Sequence, residues 1–213
     1  INVWAFTDEV PGMIEKYIEA HPDFGYEINT TIIATTDGAY QPALDQALAS
    51  GGSDAPDIYC AEAAFVLKYT QGDAAQYAAP YEDLGIDVDQ AIKDADIAQY
   101  TVDIGTNPDG KVVGLGYQAT GGAFIYRRSI AKDVWGTDDP AVIQDKIGPG
   151  WDKFFDAAAE LKAKGYGIVS GDGDIWHAVE NSSDQGWIVD GKLNIDPKRE
   201  EFLDLSKELK DNG

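Results

Sequence analysis

His21 and His177 are the only imidazoles in the chain, and they stand far apart in sequence. Neither fits a metal-ligand spacing such as His-Glu-x-x-His. His21 precedes Pro22 at a helix end and reads as a solvated surface residue. No Gly-x-Ser-x-Gly elbow presents a serine nucleophile, and no Gly-x-x-x-x-Gly-Lys-Ser/Thr loop is available to cradle phosphates. Asp172-Gly173-Asp174 matches only the opening of a calcium loop; it lacks the third oxygen ligand and the closing glutamate. The single cysteine, Cys60, excludes an internal disulfide and any multi-cysteine metal site. It ends the run Asp57-Ile58-Tyr59-Cys60, where a buried, inert thiol is the expectation. Among 38 Asp and Glu some pair meets in any fold, so a glycosidase-type carboxylate pair stays open, although nothing selects one. The reading singles out no catalytic residue, no metal site and no cofactor.

The aromatic residues carry a more pointed signal. Five Trp and eleven Tyr lie partly beside polar loops. Trp4 lies toward the end of the first strand, Tyr40 follows Asp37, Tyr117 precedes a pair of glycines and Trp176 follows Asp174. A sugar offers flat C–H faces rimmed by hydroxyls, so its site needs an aromatic platform and a few carboxylate or amide acceptors. Core packing is the competing account of each ring taken singly.

Charge narrows the partners. With 38 acidic against 16 basic residues the formal charge is −22. Such a surface repels phosphate backbones and anionic lipid, which argues against nucleic acid and membrane surfaces as partners. Solubility explains most of the excess. No segment approaches the apolar length of a membrane span.

The elements that must position these residues follow from periodicity. Ile1 to Phe6 reads as a strand. Val10, Met13, Ile14, Tyr17 and Ile18 then repeat as one helical stripe that ends at His21-Pro22. Tyr26 to Ile33 reads as a second strand, Tyr40 to Leu48 as a helix stopped by Gly51-Gly52, Asp57 to Cys60 as a third strand, and Phe65, Val66 and Tyr69 as the start of another helix. The alternation implies βαβ crossovers and a mostly parallel sheet, whose ligands bind beyond the carboxyl ends of the strands. Those ends are Phe6 to Glu9, Thr35 to Asp37 and Cys60 to Glu62.

Farther on, Asn107-Pro108-Asp109-Gly110 predicts a hairpin turn, and Ala123 to Arg127 a strand. Gly121-Gly122 suits either a bulge or a hinge. Asp139-Pro140 predicts a helix start, and Trp151, Phe154, Phe155, Ala158 and Leu161 an amphipathic helix closed by Gly165. Gly167 to Ser170 reads as a strand, Gly171 to Asp174 as a tight polar loop, and Asp190-Gly191 as a two-residue hairpin turn. Asp196-Pro197 then starts a helix carrying Phe202, Leu205 and Leu209.

Taken in order, these segments resemble the carbohydrate-specific extracellular solute-binding proteins of ABC importers, the group that includes maltose-binding protein. The resemblance spans essentially the whole chain. It rests on Ile1-Asn2-Val3-Trp4, on the helix Tyr40 to Ala49, and on Ala55-Pro56-Asp57-Ile58-Tyr59. It continues in Gly110-Lys111-Val112-Val113-Gly114-Leu115 and Phe124-Ile125-Tyr126-Arg127-Arg128. Gly150-Trp151-Asp152 and Leu161-Lys162-Ala163-Lys164-Gly165 complete it. Two departures stand out: Gly116 replaces the family's strand proline, and Tyr126-Arg127-Arg128 its Tyr-Asn-Lys.

The resemblance implies an α/β, periplasmic-binding-protein-like fold of two lobes, 1–117 and 118–213, with the boundary near 117–122 and the second lobe incomplete. Family members run to about twice a typical domain length or more. Uncovered apolar faces are therefore expected, including the stripe Phe202, Leu205 and Leu209 unless it packs backward. The implied activity is capture of a mono- or oligosaccharide by hinged closure, without catalysis, for the membrane permease subunits of an ABC transporter. The implied location is extracellular, as a cell-surface lipoprotein or a periplasmic protein. The implied ligand-binding residues are Phe6, Thr7, Asp8, Glu9, Asp37, Tyr40 and Glu62 from the first lobe. Gln118 and Thr120 would come from the crossing, and Asp172, Asp174 and Trp176 from the second lobe. A carbohydrate-active enzyme with paired carboxylates and a sensory domain of the same fold are the alternatives.

Overall fold

The computed structural model describes residues 1–119 and 121–212. The chain divides into two compact units, Ile1–Thr120 and Gly121–Gly213.

The first unit is built on a parallel sheet in the order β2-β1-β3, with β1 Asn2–Ala5, β2 Asn29–Ile32 and β3 Ile58–Tyr59. Asn2 pairs with Asn29 and Ala5 with Ile32, while Val3 pairs with Ile58 and Trp4 with Tyr59. Alternation along β1 buries Val3 and Ala5, while Trp4 and Phe6 pack into a second cluster. Asn2 secures the amino edge: its amide N–H donates to Asp57 Oδ2 at 2.8 Å, and its side-chain amide donates to Ser53 O at 2.7 Å. The second strand is shorter than expected, since residues 26–28 lie outside the ladder.

Helix α1, Glu9–Ala20, follows β1. Pro11 stands in its first turn, where an N–H has no intrahelical acceptor to lose. The inward stripe is narrower than the periodicity predicted: Pro11 is buried and Val10, Ile14 and Ile18 half-buried, but Met13 and Tyr17 are exposed. Helix α2, Tyr40–Ser50, closes at Gly51, which takes a left-handed φ of 58°. Tyr40, Leu44 and Leu48 on its inner face join Tyr69 of α3, Val66–Thr70, and are flanked by Trp4, Phe6, Tyr59 and Phe65.

Short helices α4, Val88–Asp94, and α5, Gln99–Ile104, complete the unit. Thr70 and Gln71 donate to the carbonyls of Ile104 and Asp103, tying α3 to α5. The Asn107 turn forms as predicted, with its side chain accepting from the backbone of Asp109 and Lys111. Its arms meet in a bridge between Thr106 and Val112, beside which Asn107 N donates to Lys111 O and Val113 N to Gly105 O. Gly116, the departure from the family's proline, is explained by packing: a Cβ there would stand 2.7 Å from Thr101 Cβ, and Thr101 is buried.

The second unit is mainly helical: α6 Arg128–Trp135, α7 Pro140–Ile147, α8 Trp151–Ala163, α9 Gly173–Ser182 and α10 Pro197–Asn212. Asp139 caps α7 by accepting from Ala141 N at 2.8 Å, ahead of Pro140, as the sequence predicted. Phe154, Ile175, Val179 and Leu205 form the core, with Trp151, Phe155, Trp176, Phe202 and Leu209 against it. The α10 stripe therefore packs backward onto its own unit. A hairpin joins β4, Ile188–Val189, to β5, Lys192–Leu193. Its turn residues Asp190 and Gly191 take φ of 50° and 72°, both left-handed as a primed turn requires.

Three local expectations fail here. Residues 123–127 form no strand, and Ile125 is 91% exposed. Residues 168–170 are a bend, with Gly167 irregular before them. In both cases an apolar run lacks a ladder partner among the described residues, and propensity alone does not make a strand. Gly171 to Asp174 is no simple loop either, because α9 begins at Gly173 with Asp174 in its first turn.

Candidate functional site

In a parallel sheet every strand points the same way, so the segments after β1, β2 and β3 emerge at one edge. Thr7, Asp8, Glu9, Asp37 and Glu62 all follow those strands, and all five are exposed. Asp37 lies in a 3-10 turn, Thr36–Gly38, with φ of 57°, a conformation that aspartate tolerates better than most side chains. The Glu62 carbonyl accepts from Phe65 N at 2.9 Å and Val66 N at 2.8 Å, which opens α3.

Phe6 and Tyr40 lie under this edge. Phe6 is half-buried, with its ring edge-on to Tyr40 at 5.6 Å and to Phe65 at 6.3 Å. Tyr40 departs from the sequence reading, because it is only 1% exposed and cannot present a face to a solute. Its hydroxyl donates to Cys60 O at 2.7 Å and approaches Trp4 O at 3.3 Å, joining the ends of β1 and β3 from beneath. Burial, followed by the neighbouring Cys60, pushes its ionisation well above the usual tyrosine range. Burial likewise pushes the Cys60 thiol up, so the sulfur is held in its poorly nucleophilic form.

The most specific contact at the edge joins the two ends of the unit. Glu9 Oε2 accepts from the Tyr117 hydroxyl at 3.0 Å, and Glu9 Oε1 accepts from Gln118 Nε2 at 2.9 Å. Glu9 and Gln118, both foreseen, are thus brought into direct contact. From the sequence, Tyr117 reads as an aromatic beside a polar segment and not as a site residue. Its position next to Gln118 was the available signal. Thr120 lies outside the described residues.

In the second unit Asp172, Asp174 and Trp176 gather at the start of α9. Both aspartates are exposed, and Asp174 Oδ2 accepts from Ser170 N at 2.7 Å. Trp176 is half-buried and belongs to the core rim, with its ring edge-on to Phe202 at 5.0 Å and tilted against Trp187 at 6.4 Å. Asp172 borders a cavity of about 1,140 Å³ between α8 and α10, walled by Phe155, Ala158, Ile168, Val169 and Leu209. Lys162, Tyr166, Ser170, Ser206, Lys207 and Asn212 also line it.

Among the described residues no group of three His, Cys, Asp or Glu side chains could hold a metal ion. No described helix is long and apolar enough to cross a membrane. The arrangement at the sheet edge suits recognition through hydrogen-bond acceptors and exposed aromatic surface. No curated protein matches the chain. A family model described as bacterial extracellular solute-binding protein does, over residues 12–213, and with that span the chain belongs to the bacterial extracellular solute-binding proteins.

Proposed function

We propose that the protein captures a mono- or oligosaccharide at the carboxyl edge of its parallel sheet, by hinged closure and without chemical turnover, in the manner of the maltose-binding group. Family membership carries the coarser part, a substrate-binding role beside an ABC transporter outside the cell. The carbohydrate, the membrane permease partner and a lipoprotein anchor are the finer reading.

One observation carries it. Exposed acceptors Asp8, Glu9, Asp37 and Glu62 follow three parallel strands, and Tyr117 and Gln118 are hydrogen-bonded to Glu9 beside them. Carboxylates accept from sugar hydroxyls, and a ring offers a flat surface to C–H groups. Asp172 and Asp174 remain the second unit's candidates.

The test is a panel of mono- and oligosaccharides, read by thermal shift and calorimetry with product analysis alongside. A raised melting temperature with the sugar recovered intact is the expected result. Released product would favour the enzyme alternative. A panel with no binder would overturn the carbohydrate reading.

A further inference from the structure

We infer that Tyr117 is the aromatic platform of this site, and that Glu9 acts mainly as a positioning residue that holds the Tyr117 ring in place. The inference rests on the carbohydrate reading and refines it, since it turns Glu9 from a direct acceptor of solute hydroxyls into a support.

Three observations single out Tyr117. Its side is open while its tip is anchored: the residue is 52% exposed, and its hydroxyl donates to Glu9 at 3.0 Å. Tyr26 and Tyr100 are at least as exposed, yet among the described residues neither has a hydroxyl hydrogen bond. An anchored ring loses little freedom on binding and so offers its surface at lower entropic cost. The anchor also sits where the strands end. Burial of the hydroxyl raises its ionisation first, followed by the bond and charge of Glu9, and then by Cys60 just after β3. Through its bond to Glu9, the tip lies near the carboxyl end of β1.

A cavity supplies the third observation. Tyr117 and Gln118 line a hollow of about 380 Å³, with Asp96, Ala98 and Thr101 among its other walls. That volume falls within the roughly 300–1,000 Å³ of small-ligand pockets, enough to seat one sugar unit. Asp96, one of those walls, is exposed. Both Glu9 oxygens already accept from protein donors. A carboxylate with both oxygens engaged retains less acceptor capacity than those of Asp8, Asp37 or Glu62, which accept from no donor among the described residues.

The experiment is calorimetric titration with whichever sugar of the panel binds the parent, together with melting curves. Tyr117→Ala is expected to weaken binding about thirtyfold, as for loss of a contact anchor, with melting close to the parent. Tyr117→Phe keeps the ring and should lose less than about fivefold, roughly one hydrogen bond. Glu9→Ala should weaken binding in the parent but add nothing in the Tyr117→Ala background, since its effect passes through the ring. Parent-like affinity of Tyr117→Ala, or its melting far below the parent, would overturn the platform while leaving the carbohydrate reading intact. An additive Glu9→Ala effect would overturn the positioning role. A parent that binds no sugar would remove the carbohydrate reading and the platform with it.

Discussion

Trp176 and Tyr117 divide the work that aromatic residues do in this chain. Trp176 leans on Phe202 and Trp187 at the rim of the second core, whereas Tyr117 is tethered at its tip and bare on its side. Trp176→Ala is therefore expected to lower stability by about 2–3 kcal/mol, below the roughly 3–5 kcal/mol of a fully buried large aromatic. Urea unfolding of the two proteins measures this. A parent-like midpoint with weakened sugar binding would return Trp176 to the binding surface. The sequence listed both rings beside polar segments, and nothing in local context separated the packed one from the bare one. Tyr40 shows the same limit, for its place after Asp37 resembled a site while its hydroxyl is spent on two backbone carbonyls. Glu9 and Tyr117 lie 108 positions apart, a distance across which spacing rules say nothing.

At the scale of elements, legibility followed how local the determinant was. The Asp190-Gly191 turn and the Asp139-Pro140 helix start depend on two or three neighbouring residues, and both formed as read. The opening β-α-β-α-β series was readable because each period repeats within its own segment. Strands at 123–127 and 167–170 depended on partners that composition cannot supply. Asp196 illustrates a local determinant with a global effect. Its buried carboxylate accepts from the backbone of Asp184, Gln185 and Lys198, and so starts α10 while fixing the segment before the hairpin. The Lys198 N–H, more than the other two, holds its pKa below the usual carboxylate range. A depressed folded pKa stabilises above the unfolded value of about 3.9 and is lost as pH falls through the folded one. Asp196→Asn should thus melt below the parent at pH 7, and the gap should close as the pH drops below about 4. Melting curves across that range check it, and a gap independent of pH would contradict the role of the charge.

For the molecule as a whole, a formal charge of −22 dominates the electrostatics. Like charges crowd the folded surface, and their repulsion favours expansion. Ion pairs such as Lys16–Glu19 and Lys207–Asp211 oppose it, but both partners are exposed, and such pairs contribute about 0–1 kcal/mol each. Salt shortens the screening length from about 30 Å at 0.01 M to about 8 Å at 0.15 M, which weakens both effects. Because the repulsion is summed over many more charges than the pairs, the melting temperature is expected to rise across that interval. Calorimetric scans at the two ionic strengths decide it, and a fall would mean that the pairs dominate. The family assignment rests on this same scale, since the match runs over residues 12–213 and no single motif carries it.

The bond between Glu9 and Tyr117 also sets an order in time. One partner is made 108 residues before the other, and joining them closes a loop around nearly all of the first unit. Closing so long a loop is among the slower, later events of folding, because its entropy must be met before the contact repays it. A chain emerging from synthesis, or threaded end-first through a membrane pore, holds the carboxylate long before it holds the phenol. The anchored ring comes into existence only after residue 117 is free on the same side as residue 9, so a chain still in transit lacks the tethered Tyr117 ring.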